Sequence, residues 1–145
     1  MNTEPRWTFE YTAKLRKQWQ SSREIAKKWY EQYPFFHPED YRSAQNQHDY
    51  HFFEWYAAVL IYEKTGAFSL IEKYDLTSHP RKLCILRELM TPEQIDALDR
   101  ADRPCQPPDL LVYRPNLRNF YFCEVKGAND YLRPVQKRFF NRLER

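Results

Sequence analysis

The segment 108–126 constrains the fold of this chain more than any other, because it places charged side chains at the ends of two apolar runs. The runs cover 110–113 and 120–125. Proline and asparagine residues between them favour a turn. The segment therefore predicts a β-hairpin whose open end is charged.

Pairing this hairpin about Asn116 and Leu117 makes the numbers of facing residues sum to about 233. Asp109 then faces Glu124 with Cβ atoms roughly 5 Å apart, and like charges in that arrangement destabilise a sheet. Lys126 lies two residues beyond Glu124 and points to the same face. Three remedies are open: one carboxyl is protonated, Lys126 compensates the charge, or a divalent cation lies between the acids. A surface hairpin ending in a salt bridge is the simpler alternative.

Composition and motifs narrow the class of protein. A chain of 145 residues fits one domain. Only two glycines are present, without a GxGxxG or GxxxxGK[ST] motif, which argues against a glycine-rich phosphate loop. No apolar run approaches about 18 residues and the N-terminus is polar, so we expect neither a membrane span nor secretion, but a cytoplasmic protein. Three widely spaced cysteines without CxxC indicate free thiols in a reducing compartment.

The net charge of +3 is unevenly distributed along the chain. Residues 1–30 carry +4, residues 31–99 carry −6 and residues 100–145 carry +5. Basic ends around an acidic middle can hold a polyanion. The alternative is that the lysines and arginines only solvate helix surfaces.

Hydrophobic spacing predicts the order of the elements. Residues 1–33 form two helices, whose aromatic stripes we interpret as core or interface, with a capping box at 21–24 between them. Residues 34–47 form a loop. A helix follows over 49–64, apolar nearly all round and therefore central, and Gly66 ends it. The remaining elements are a strand over 68–74, helices over 81–90 and 91–99, the hairpin, and a last helix from 134 onward.

Polar side chains on the helix over 49–64 are candidates for function. Glu54 lies inside its apolar run, where a carboxylate is costly unless it is paired. His48 and His51 are three residues apart, which suggests a metal site. Because no third ligand is in register, we interpret them as cap or surface histidines that could still approach a phosphate.

The order of elements and the Asp-X14-Glu-X-Lys pattern on the hairpin resemble the PD-(D/E)XK nuclease superfamily. The local sequence is most similar to its virus-type replication–repair nuclease branch (VRR-NUC). The similarity consists of Pro-Asp-Leu-Leu at 108–111, Glu-Val-Lys-Gly at 124–127, Asp-Tyr-Leu at 130–132 and Gln136. It covers residues 48–145 as a nuclease domain and leaves residues 1–47 as an N-terminal helical extension.

The resemblance implies a restriction-endonuclease-like α/β (mixed α+β) core, in which helices flank a small mixed sheet. It implies a Mg²⁺- or Mn²⁺-dependent deoxyribonuclease of DNA repair or replication, with selectivity for branched DNA. The implied metal ligands are Asp109, Glu124, the main-chain carbonyl of Val125, and Glu54. Lys126 is implied to orient or deprotonate the attacking water, and Gln136 to position the substrate.

DNA is the implied partner, and basic side chains of the last helix are the candidates for contacting it: Arg133, Lys137, Arg138 and Arg142. The family core continues from this helix into another strand, so we expect another element or a second copy in a homodimer to supply that edge. Two other functions stay open, an inactive nucleic-acid-binding module and a protein-interaction domain that uses the aromatic N-terminal helices. Salt-dependent affinity for nucleic acid separates the last of these from the others.

Overall fold

The computed structural model describes residues 8–47, 51–72, 74, 79–100, 108–116 and 119–126. These residues form six helices and three strands, which confirms the mixed α/β class. The helices are α1 (Ala13–Ser21), α2 (Glu24–Gln32), α3 (Pro38–Asn46), α4 (Phe52–Thr65), α5 (Pro80–Leu89) and α6 (Pro92–Arg100). The strands are β1 (Phe68–Ile71), β2 (Leu110–Tyr113) and β3 (Phe120–Cys123).

The two predicted N-terminal helices, α1 and α2, are present. The Thr12 hydroxyl accepts a hydrogen bond from the backbone N–H of Leu15 at 3.1 Å and caps α1. The hydroxyl of Ser22 accepts from the N–H of Glu24 at 3.2 Å at the start of α2. Trp19 and Trp29 are buried, so these members of the aromatic stripes belong to the core, as predicted.

The loop predicted over 34–47 is wrong for most of its length, because α3 occupies Pro38–Asn46. Pro38 lies in the first helical turn, where its missing N–H costs nothing. Two acidic residues, Glu39 and Asp40, also lie in that turn, where the helix dipole favours negative charge. The Asp40 carboxylate accepts a hydrogen bond from the His37 N–H at 2.9 Å. These start signals outweigh the polar composition from which the loop was predicted.

Helix α4 is the central element, as its sequence predicts. Its side chains at Phe52, Trp55, Ala58 and Ile61 are 2% exposed or less. Phe36 stacks on Trp55 with ring centroids 3.9 Å apart, which joins the segment between α2 and α3 to α4. Gly66 ends the helix in the left-handed conformation (φ 74°), a backbone geometry that favours glycine.

The three strands form an antiparallel sheet in the order β1-β2-β3. Leu110 pairs with Cys123 and Tyr113 with Phe120, so the predicted hairpin register is confirmed. Strand β1 ends at Ile71, earlier than predicted, and Ile71 pairs with Leu110. The mixed sheet stays a prediction, because the strands that the structure describes are all antiparallel to their neighbours.

Helices cover both faces of the sheet, and successive residues of the buried strand β2 alternate between them. Leu110 and Val112 join the core formed with α4 and the N-terminal helices. Leu111 and Tyr113 join a second core with the apolar side chains of α5. The sheet edge where β1 and β3 end and β2 begins therefore lies between two packed layers. Within the described part of the chain, no helix is long and apolar enough to cross a membrane.

Candidate metal centre

Three acidic residues, Glu72, Asp109 and Glu124, lie next to each other at one end of the sheet, just beyond the paired residues of its strands. The β1–β2 pairing ends at Ile71 and Leu110, and the N–H of Glu72 donates a hydrogen bond to the Asp109 carbonyl at 2.9 Å beyond it. The β2–β3 pairing ends at Leu110 and Cys123, so Glu124 comes next to Asp109 on the other side. A row of like charges at such positions is unfavourable unless something neutralises it.

The hairpin predicts that Asp109 and Glu124 face each other, and the structure brings them together. The N–H of Asp109 donates to Glu124 Oε2 at 3.3 Å. The N–H of Val125 donates to Asp109 Oδ2 at 3.0 Å. The two strand ends therefore hold each other's carboxylates through main-chain donors, which fixes the carboxylates in place.

Protonation relieves the repulsion between these two carboxyls. Burial, followed by the charge of Asp109, raises the pKa of Glu124 to about 7. Burial also raises the pKa of Asp109, although the N–H of Val125 and the side chain of Glu124 oppose that rise. The pair therefore retains a proton to a higher pH than isolated carboxyls do, and that proton reduces the repulsion.

Lys126 provides the second of the three predicted remedies. Its Nζ lies 3.6 Å from Glu124 Oε1. The Lys126 side chain is 28% exposed, whereas that of Glu124 is only 9% exposed. The ammonium thus lies at the rim, where it reaches both the acids and the solvent. An exposed salt bridge does not describe this site, since the carboxyl partner is buried.

Helix α4 contributes Glu54, the acid that its apolar run made conspicuous. Burial, together with the negative charges of Asp109 and Glu72, raises the pKa of Glu54 to about 7, against the opposing effects of its own backbone N–H and of His51. The carboxyl of Glu54 is thus electrostatically coupled to the strand-end acids. The raised pKa reflects the cost that the sequence argument assigned to a carboxylate inside this apolar helix.

His51 and Glu72 lie beside Glu54. The sequence suggested a metal site at His51, which we interpreted as a cap or surface residue, and it gave no sign of Glu72. Ligand atoms of His51, Glu54 and Glu72 lie within 4.8 Å of one another. His51 Nδ1 is 3.3 Å from Glu72 Oε2. His51 occupies the predicted N-cap position of α4, but its side chain makes no capping hydrogen bond there. Glu72 is a candidate third ligand, and it lies on the strand-end segment instead of the helix.

His51 and Glu72 also share an uncommon backbone conformation. Their φ angles are 72° and 41°, and no other non-glycine residue has a positive φ in the described ranges. Such conformations cost free energy in residues with a Cβ and concentrate at functional sites. The two residues with this conformation are the ones whose side chains meet at the candidate site.

Carboxylate oxygens of this kind suit a divalent cation such as Mg²⁺ or Mn²⁺, and the His51 imidazole favours a transition-metal ion over Mg²⁺. Two carboxyls with a pKa of about 7 would lose their protons to such an ion near neutral pH. Ligand atoms around one cation at about 2.1 Å lie within about 4.2 Å of each other, so small side-chain rotations would close the group. The residues present therefore fit a metal centre.

Several predicted site residues lie outside the described part of the chain. They are Gln136, which was predicted to position the substrate, and the basic residues Arg133, Lys137, Arg138 and Arg142. The Asp-Tyr-Leu motif at 130–132 and His48 are also outside it. No protein-family model, curated protein or solved structure matches the chain.

Proposed function

We propose that this chain is a Mg²⁺- or Mn²⁺-dependent nuclease that hydrolyses phosphodiester bonds of DNA on a restriction-endonuclease-like fold of the VRR-NUC type. The observation that carries the proposal is the meeting of Asp109 and Glu124 at one sheet edge, with Lys126 beside them. Glu54 joins them from the central helix. Phosphodiester hydrolysis requires this combination of groups.

The acidic residues are proposed to bind the cation. Asp109, Glu124 and the Val125 carbonyl would hold it, with Glu54 as a further ligand. When bound, the cation neutralises charge on the scissile phosphate and lowers the pKa of a bound water. The hydrogen bonds from the main chain to both strand-end carboxylates support this role, because they reduce the freedom that the ligands lose on binding.

Lys126 is proposed to act on the attacking water and on the charge that develops on phosphorus. Its Nζ lies at the solvent-accessible rim, 3.6 Å from the Glu124 carboxylate. From there its ammonium can hold a water against the phosphate, or its neutral amine can accept a proton from that water and so become positively charged. Its positive charge also stabilises the additional negative charge of the pentacovalent state.

DNA is the proposed substrate, and branched DNA is the preferred form that the VRR-NUC resemblance suggests. The basic residues Arg133, Lys137, Arg138 and Arg142 would bind its phosphates, and Gln136 would position the strand. An inactive DNA-binding module on the same fold is the alternative, and the cleavage experiment below separates the two.

Cleavage of DNA in the presence of Mn²⁺ tests the proposal. Linear, flapped, forked and four-way substrates are incubated with the wild type and with an Asp109→Asn/Glu124→Gln variant. We expect the wild type to cut at least one substrate. The variant should cut none and should show weakened Mn²⁺ binding in calorimetry, because two oxygen ligands have lost their charge.

An exposed pair of acids provides the matched control for that experiment. A Glu88→Gln/Asp96→Asn variant removes the same two charges from exposed positions on α5 and α6 and should behave as the wild type. A wild type that binds Mn²⁺ and DNA without cutting any substrate would favour the inactive module. Absence of salt-dependent DNA affinity would favour a protein-interaction domain.

Charge reversal at Arg133 and Arg138 tests the DNA contacts that we propose for the predicted last helix. The Arg133→Glu/Arg138→Glu variant is expected to bind DNA more weakly at low salt, since each lost phosphate contact reduces the release of counterions. Its affinity should also depend less steeply on salt. Fluorescence anisotropy over a salt series measures both quantities. An Arg42→Glu/Arg87→Glu variant, with both changes at exposed helix positions, is the control, and equal losses in the two variants would argue against this helix.

A further inference from the structure

Lys82 on α5 is a buried ammonium beside the candidate metal centre. Only 2% of the surface of Lys82 is exposed. The Nζ donates to the Ile71 carbonyl at 2.5 Å and to the Glu72 carbonyl at 3.1 Å. These are the last residue of β1 and the acid that follows it. Lys82 therefore holds the main chain at Ile71 and Glu72 through two hydrogen bonds, next to the candidate metal centre.

Asp40 on α3 supplies the counter-charge. Its carboxylate, in a residue that is 4% exposed, is hydrogen-bonded and ion-paired to Lys82. The same carboxylate accepts the N–H of His37 at the start of α3. A buried ammonium so close to a cation site would repel the cation, and Asp40 cancels most of that repulsion. The N-terminal extension thus contributes a charge that the site requires.

The main chain of Glu72 is held from both sides. Its N–H donates to Asp109, and its carbonyl accepts from Lys82. Between these two bonds φ is 41°, in the left-handed region that a glutamate seldom adopts. Such a conformation persists only where the surroundings over-determine it. With Lys82 removed, the two carbonyls would lose their buried donor and the backbone would be released toward an ordinary conformation.

We propose that Lys82, neutralised by Asp40, is a positioning residue that holds Glu72 in the conformation in which it reaches a divalent cation together with His51 and Glu54. This inference rests on the proposed metal-dependent function and deepens it. It assigns Glu72 as a cation ligand in addition to the hairpin residues Asp109 and Glu124. It also gives the N-terminal helical extension a part in the metal centre.

A double-mutant cycle on Mn²⁺ affinity, measured by calorimetry, tests the proposal. Lys82→Met should lower the affinity by roughly tenfold to a hundredfold, the loss typical for a group that orients a metal ligand. In a Glu72→Gln background the same substitution should cause little further loss, because its effect passes through Glu72. A purely structural role for Lys82 predicts equal losses in both backgrounds, and that result would overturn the proposal.

Two further variants keep the test decisive. If Lys82→Met does not fold, the Asp40→Asn/Lys82→Met double variant removes both charges of this buried ion pair, and its Mn²⁺ affinity is compared with and without Glu72→Gln in the same way. The asparagine can still accept the His37 N–H. Arg81→Met, on the exposed neighbour, is the control and should leave Mn²⁺ affinity unchanged.

The outcomes distinguish this proposal from the proposed function. If Glu72→Gln alone leaves Mn²⁺ affinity unchanged while the wild type cuts DNA, only the positioning proposal fails. If the cycle shows the expected coupling but no substrate is cut, only the nuclease proposal fails.

Discussion

A Lys126→Ala variant is expected to cleave DNA roughly 10²–10⁴-fold more slowly than the wild type, the usual loss when a positioned proton-transfer group is removed. Mn²⁺ affinity and DNA affinity should be nearly retained. The reason is geometric, because the Lys126 ammonium lies at the rim, 3.6 Å from a carboxylate that the main chain also holds. Its removal leaves the ligands where they are. Single-turnover cleavage with Mn²⁺ measures the rate.

A second variant separates the two roles proposed for Lys126. Lys126→Arg keeps the positive charge, but a guanidinium does not give up a proton near neutral pH. If the side chain mainly stabilises charge on the phosphate, the arginine variant should retain a large part of the rate. If it transfers a proton, the arginine and alanine variants should be equally slow. A Lys126→Ala enzyme that cuts at the wild-type rate would contradict both roles.

The hairpin was predictable because its information is local. The facing of Asp109 and Glu124 follows from the turn position and the two-residue period of a strand, and the register agrees. The end of α4 was equally local, since Gly66 supplies the left-handed cap. The start of α6 was local as well, because Thr91 and Gln94 form a capping box there. The Thr91 N–H donates to the Gln94 side chain, and the Gln94 N–H donates to the Thr91 hydroxyl.

Glu72 could not be found in the same way. Its place beside Asp109 depends on the pairing of β1 with β2, which are separated by two helices. No periodicity within either segment gives that register. His51 was recognised as a candidate ligand and set aside because its partners were sought on its own helix. Ligands of a site at the ends of the strands come from several strands, and the alignment of those strands is set by tertiary structure and not by the local sequence.

The α3 helix was missed for another reason. Pro38 and its acidic neighbours were read as loop formers, although the same residues begin helices when they lie in the first turn. The consequence reaches the site, because Asp40 in that turn neutralises Lys82. An error in local structure therefore hid a contact between the N-terminal extension and the metal centre.

Without divalent cations, the protein is expected to lose stability as the pH rises through about 7. The folded-state pKa of Glu54 and that of Glu124 are both raised to about 7, from an ordinary value of 4.5. The folded protein therefore binds more protons than the unfolded chain between those values. The contribution of these protons to stability is complete below about pH 4.5 and is lost as the pH rises to about 7. For Glu54 the loss is on the order of 3 kcal/mol, of which about 2 kcal/mol lies above pH 5.5, and for the more exposed Glu124 it is smaller.

Urea unfolding at pH 5.5 and pH 8 measures this loss, and the Glu54→Gln variant isolates one contribution. Glutamine has no proton to lose, so the metal-free variant should be more stable than the wild type at pH 8 and should depend less on pH. Glu88→Gln, at an exposed position on α5, should reproduce the wild-type dependence. A wild type that gains stability between pH 5.5 and pH 8 would contradict the raised pKa values.

Mn²⁺ should reverse the loss, because a cation bound by the folded state replaces the protons that the carboxyls give up. At a concentration of about 100 times Kd it should restore about 2.7 kcal/mol at pH 8. The gain should be much smaller at pH 5.5, where protons compete for the same oxygens. It should also be reduced in Glu54→Gln, which would then be the more stable protein without metal and the less stable one with it. This reversal in which of the two proteins is more stable distinguishes a metal centre from a buried acidic cluster. In a cluster that binds no cation, the Glu54→Gln variant would be more stable than the wild type both without and with Mn²⁺.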